Sequence, residues 1–410
     1  MPSNPTLQSN SLTAWERTLL LVLAGIQFTH ILDFMIMMPL GPQLKVAFGI
    51  TDAQFGLLVS AYTLSAGVSG LTATTYIDRF ERKRLLLTLY GLFALATLAC
   101  GLAPGYNTLM VARVLAGLFG GVLSAMVQTI VGDLIPYERR GKAMGVVMTS
   151  FSVSTVLGVP ASLLIANHSS WHMPFFLIAA LSAVFGGIGV RAIPTLNGHV
   201  AGNRSQGVGY AISEVLRDAN HWTAFAFSFC LIFAGFSIIP YITLYMSSNG
   251  GLSADEIPLM YLAGGAATLL SAQWIGRLCD RLGKQTMLTR VTLLSMMPML
   301  AITVSGGLPL WAILLISTAF FVLVSGRMIP GMALVTAAAN PTYRGTFMTL
   351  NSSVQSASMG VAALVGGHVI SRNPAGLIEH YWVCAVIALV MNLLAVVLAR
   401  RMNTHSSLKP

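Results

Sequence analysis

Charge is what this 410-residue sequence has least of: 9% of its residues are Asp, Glu, Lys or Arg, against roughly 25% in soluble domains. With 55% of the chain apolar, that scarcity excludes a water-soluble fold. Acids are scarcer still, 13 against 23 bases. Cysteine is nearly absent: Cys100, Cys230, Cys279 and Cys384 stand singly in apolar runs, without metal-ligand spacing, and read as packed thiols. There is no Walker-type phosphate loop, no histidine pair at metal spacing and no nucleophile elbow, so neither ATP-driven pumping, a metal site, a cofactor nor enzymatic catalysis is expected. The polar first 17 residues, with Glu16 and Arg17 beside the first apolar run, lack a small-residue cleavage site, and no signal peptide is expected.

What the sequence has in abundance is apolar length. A helix needs about 20 apolar residues to cross roughly 30 Å of hydrocarbon, and such runs recur at 18–40, 53–76, 84–103, 107–130, 142–166, 174–194, 222–246, 257–279, 285–305, 308–334, 344–370 and 381–401. The sequence therefore predicts an all-α membrane protein with twelve transmembrane helices. One longer polar connection, 195–221, divides it into six-helix bundles at 18–194 and 222–401, with tails at 1–17 and 402–410. The halves echo each other: IDRFERK at 77–83 matches CDRLGK at 279–284, and YERRGKAMG at 137–145 matches TYRGTFMTL at 342–350. Two such loops at nearly one offset point to parallel internal repeats.

The net charge of +10 is a matter of topology, not of nucleic acid. If the amino terminus is cytoplasmic, the loops near 77–84, 136–143, 195–221, 277–290 and 335–344 share its side, and so does the carboxyl terminus. That side holds 19 of the 23 Lys and Arg, while the opposite loops hold Lys45 and Arg372 and the spans hold Arg113 and Arg327. The bias orients the chain by the positive-inside rule.

The run GRLCDRLGK, Gly276 to Lys284, has glycines for a tight helix-to-helix turn, an acid able to accept from free backbone N–H groups, and bases able to meet lipid phosphate. It resembles the loop signature of the major facilitator superfamily. The resemblance implies the major facilitator fold and assigns Gly276, Asp280, Arg281, Gly283 and Lys284 to a latch that holds the halves in the outward-facing state. Asp78 and Arg79 repeat it in the first half, where Thr74 and Glu81 replace the glycines. RVLAG, Arg113 to Gly117, resembles the arginine motif of the fourth span. GVPASLL, with Gly158 and Pro160, resembles in part the antiporter motif of the fifth. With DFMIMMPLGPQL near the first span, these are similar to the bacterial drug-proton and sugar-efflux branch, which implies a multi-pass protein of the bacterial inner membrane.

A charge at bilayer depth costs several kcal/mol or more, so each one marks a functional candidate. There are three: Asp33, Arg113 and Arg327. Counted from their outer span ends, Asp33 and Arg113 differ in depth by only about 3 Å at 1.5 Å per residue. His30 shares the helix face of Asp33. Either Asp33 binds and releases a proton, helped by His30 and tuned by Arg113, or the two charges form a permanent structural pair. Arg327, in VSGRMIPG, either holds an anionic group of the solute or reaches the inner interface by its long stem. Asn351 and Gln355, one turn apart with Ser352, Ser356 and Met359 nearby, either line a wet cavity or glue helices together. Phe225, Phe229, Phe233 and Phe236 recur near helical spacing and either contact solute or pack.

The function expected is secondary transport: export of a small organic solute in exchange for protons, by alternating access. The partners expected are that solute, protons and the lipid bilayer, with no nucleic acid, and the state expected is a monomer. The alternatives are an uncoupled or importing carrier of a sugar or organic acid, and a sensor or lipid-handling protein on the same fold.

Overall fold

In the computed structural model, which describes residues 12–77, 80–196 and 208–403, the first helix begins at a capping box. Thr13 Oγ1 accepts from the Glu16 N–H at 3.2 Å, and the Glu16 carboxylate accepts from the Thr13 N–H at 2.7 Å. Two orphan donors are thereby satisfied, and α1 (Ala14–Ile36) starts and ends four residues before the expected span. The first half continues through α2 (Gly41–Phe48), α3 (Asp52–Tyr76), α4 (Arg82–Gly101), α5 (Tyr106–Gly120), α6 (Leu123–Leu134), α7 (Tyr137–Val153), α8 (Val159–His168) and α9 (Met173–Ala192). After α10 (Val208–Arg217), the second half comprises α11 (Ala219–Phe236), α12 (Ile242–Ser248), α13 (Ile257–Leu282), α14 (Lys284–Thr303), α15 (Leu310–Gly326), α16 (Met328–Ala338), α17 (Arg344–Val369), a hairpin of β1 (Ser371–Arg372) and β2 (Ile378–Glu379), and α18 (Tyr381–Arg401).

Among the described residues, ten helices are long and apolar enough to cross a membrane. The other two expected spans, α13 and α17, reach 26 residues each but are more polar. The reason is position: α17 packs along α3, and α13 packs on α8 and the turn before it, so both line the seam between the halves. A helix facing protein has less need of lipid-soluble side chains. The approach of α3 to α17 is close at Gly360, where a Cβ would stand 2.6 Å from Leu64 Cγ, and Ser60 Oγ donates to the Gly360 carbonyl at 2.7 Å.

Four crossing segments are interrupted at mid-length. Pro160 lacks the N–H that would bond four residues back, and a π turn, Ser154–Gly158, takes up the slack between α7 and α8. Pro240 lies in the break between α11 and α12, and Pro330 stands three residues after Arg327, where α15 gives way to α16. The fourth break, at Gly121 and Val122, separates α5 from α6.

At the end away from the basic loops the halves are tied. Arg372 in β1 donates from Nε to Asp52 Oδ2 at 2.9 Å and from Nη2 to Oδ1 at 3.2 Å, and Lys45 joins the same carboxylate. Asn167 Nδ2 donates to the Ala254 carbonyl at 2.6 Å across the same seam. The two bases placed in the opposite loops thus converge on one acid. The connection read as polar, 195–221, is corrected in part: α10 fills 208–217 and buries Val215 beside Phe225 and Phe347.

Candidate functional site

Asp33 and Arg113 meet. Asp33 comes from α1 and Arg113 from α5, and Nη1 donates to Asp33 Oδ2 at 2.8 Å and to the Asp33 carbonyl at 3.3 Å. Both are buried, at 0% and 1% exposure. Thr97 of α4 donates from Oγ1 to Asp33 Oδ1 at 3.2 Å, so each carboxylate oxygen has a donor. The guanidinium carbon lies 4.4 Å from the centre of the Tyr62 ring on α3, within reach of a cation–π attraction. Gly117 makes that possible: a Cβ there would come within 2.9 Å of the Tyr62 carbonyl carbon, so only glycine lets α5 settle on α3. His30 is half-buried, stands 6.0 Å from Phe93 and 6.4 Å from Tyr62 between ring centres, and leaves Nδ1 without a partner.

Arg327 does not reach the interface. Its side chain is 1% exposed, and Nη1 donates to Asn392 Oδ1 on α18, which overturns the snorkelling alternative: the break at Pro330 turns the side chain into the second half. Asn351 is buried with Oδ1 unpartnered, and Gln355 donates from Nε2 to Met332 Sδ at 3.5 Å. Of the four phenylalanines, Phe225 stacks on Phe347 at 5.0 Å and Phe233 is buried 5.7 Å from Phe229. Phe236, half-buried, crosses the seam to stack on Phe34 at 6.0 Å. Of the four, Phe236 is the one whose ring contact crosses the seam among the described residues.

Comparison with known proteins agrees with this architecture. The sequence model of the Major Facilitator Superfamily matches residues 23–326 and 224–410, nearly the whole chain. The chain belongs to the Major Facilitator Superfamily. It is 30% identical over 167 residues to the uncharacterized MFS-type transporter YhcA of Bacillus subtilis (strain 168). That stretch is 41% of this chain and 31% of the relative, so the match spans about a third of that protein's length. Among solved structures, the D-xylose-proton symporter is similar at a TM-score of 0.76 and 15% identity, covering 96% of this chain and 99% of that one. A bacterial homolog of the human lysosomal transporter Spinster, inward-facing and occupied, is similar at 0.72 and 15%, covering 96% and 98%. A point mutant of the nucleoside transporter NupG is similar at 0.72 and 14%, covering 95% and 98%. The chain thus carries the fold of this transporter superfamily.

The second copy of the superfamily loop signature lies wholly within the described residues. Gly283 has φ +85° between α13 and α14, a turn that favours glycine, while Asp280, Arg281 and Lys284 are exposed and Gly276 is half-buried. Asp78 and Arg79 lie outside the described residues. Glu81, in a glycine position of that first copy, caps α4: its carboxylate accepts from the N–H groups of Lys83, Arg84 and Leu196 at 2.8–3.0 Å. Burial works against its charge, but these donors outweigh it and hold the carboxyl below its ordinary range. In the antiporter-like motif, Gly158 lets α1 approach, since a Cβ would stand 2.9 Å from Leu32 Cδ1.

Proposed function

We propose that this superfamily member exports a small organic solute in exchange for protons, as a monomer in a bacterial inner membrane with both termini in the cytoplasm. The observation that carries the reading is the dry Asp33–Arg113 pair. Dehydration favours the neutral acid and the guanidinium favours the carboxylate, so the charge on Asp33 depends on whether Arg113 stays in contact. Solute or a change of facing that draws Arg113 away releases the carboxylate to take a proton, with His30 one turn nearer the basic end as its helper. Arg327, Asn351, Gln355 and the phenylalanine row from Phe233 to Phe236 are assigned to the solute cavity. Gly276, Asp280, Arg281, Gly283 and Lys284, with Asp78 and Arg79, are assigned to the latch. With the basic end in the cytoplasm, the tie at Asp52 and Arg372 joins the halves on the outer side.

Export as the direction is supported by the Gly158–Pro160 resemblance, since the same carboxylate would serve a symporter equally well. The test is accumulation of a panel of dyes, sugars and antibiotics in a bacterial strain lacking its own exporters. Expression should lower the cell content of at least one compound, and dissipating the proton gradient should restore it. Raised accumulation would reverse the direction, and indifference to the gradient would remove the coupling.

A further inference from the structure

Arg327 brings a guanidinium into the second half and, among the described residues, meets no acid there. Among the described residues its polar contact is a neutral amide, Asn392 Oδ1, and its Nε has no partner. Asn392 donates from Nδ2 to Met299 Sδ at 3.2 Å, which turns its oxygen toward the guanidinium. The carbonyl end of α15, worth about half a charge, supplies part of the missing negative potential but short of a full counter-ion. The contrast with the first half is direct, since Arg113 has Asp33 at 2.8 Å. Of the three charges within the spans, one positive charge is left uncompensated.

The guanidinium lies just behind the seam. A Cβ on Gly235 of α11 would stand 3.1 Å from Arg327 Nη2, so no side chain separates the two. The next residue, Phe236, stacks on Phe34 across the seam, Phe34 stacks on Tyr62 at 5.6 Å, and Tyr62 carries Arg113. Three rings thus join the uncompensated charge to the Asp33 site. The helices on either side, α11 and α15, are both interrupted here, at Ser237–Tyr241 and at Arg327, so they can part at this level without breaking an intact hydrogen-bond ladder.

We propose that Arg327 recognises the negative charge of an anionic solute, a carboxylate or phosphate ester, which supplies the counter-charge the protein itself lacks. The assignment rests on the reading that the chain carries a small organic solute, and it names the class. Asn392 is the positioning residue: it aims the fork while leaving the charge free.

The test is thermal unfolding of the purified full-length protein with matched pairs: benzoate and benzamide, gluconate and sorbitol, glucose 6-phosphate and glucose. At least one anion should raise the melting temperature more than its uncharged partner does. Asn392→Asp, which installs a permanent counter-charge, should weaken that anion by about tenfold or more while the unliganded variant melts no lower than wild type. Should that variant not fold, Arg327→Gln should erase the anion preference. Stabilisation by uncharged members alone overturns the anion assignment and spares the carrier reading, whereas stabilisation by no member counts against both. Unchanged anion affinity in Asn392→Asp makes Arg327 a structural cation and also overturns the assignment.

Discussion

Arg113 is held on two sides, by Asp33 and by the face of Tyr62. If the ring matters through its face, Tyr62→Phe should be neutral, and Tyr62→Leu should cost about 1–2 kcal/mol in thermal unfolding. Equal losses in both would shift the role to the hydroxyl. Asp33 and Arg113 are legible in the sequence because a charge in an apolar run has few other uses. Tyr62 and Thr97 are not, because one tyrosine or threonine among many in such runs carries no mark until the helices pack. Glu81 shows the limit from the other side: it breaks a glycine pattern, yet its neighbours make it a cap. Its carboxyl is held below the unfolded value of 4.5, so its contribution is full above that value and lost as pH falls through the lower folded one. The stability gap between wild type and Glu81→Gln should therefore be constant from pH 8 to 6 and close on acidification. A gap that widens in acid would refute the cap.

The tie between Asp52 and Arg372 joins elements 320 residues apart, and nothing in either local sequence announces it. Both charges are legible as outer, but the pairing needs the β-hairpin that swings Arg372 over the start of α3. Arg372→Gln should loosen this end by ~1 kcal/mol, about fivefold in population. A single cysteine replacing the seam residue Ser60, on a cysteine-free background, should then react faster with an impermeant thiol reagent from outside. An unchanged rate would mean that the apolar contacts beneath hold the end alone. Helix α10 was within reach of the sequence, since Val208, Ile212 and Val215 follow helical spacing, but ten residues in a Gly- and Ser-rich stretch are easily taken for loop. The breaks at Pro160, Pro240 and Pro330 could be anticipated from proline chemistry. Which side chain each break turns inward could not, as Arg327 shows.

For the whole molecule, apolar run length predicts twelve crossings, of which ten are long and apolar enough among the described residues, while α13 and α17 are the more polar helices at the seam. The side on which the basic loops lie is a separate claim: single cysteines at positions 140 and 282 should resist an impermeant reagent outside intact cells, and labelling there would invert the topology. The central claim is that Asp33 carries the coupling proton. Asp33→Asn removes the titrating group with little change of shape, so the variant should reach the membrane and still bind solute. The deciding measurement is uphill solute movement in reconstituted vesicles under an imposed pH gradient. Wild type should concentrate solute, and Asp33→Asn should only equilibrate it, with no dependence on the gradient. If Asp33→Asn concentrates solute at the wild-type rate and with the wild-type pH dependence, Asp33 is structural and the coupling lies elsewhere.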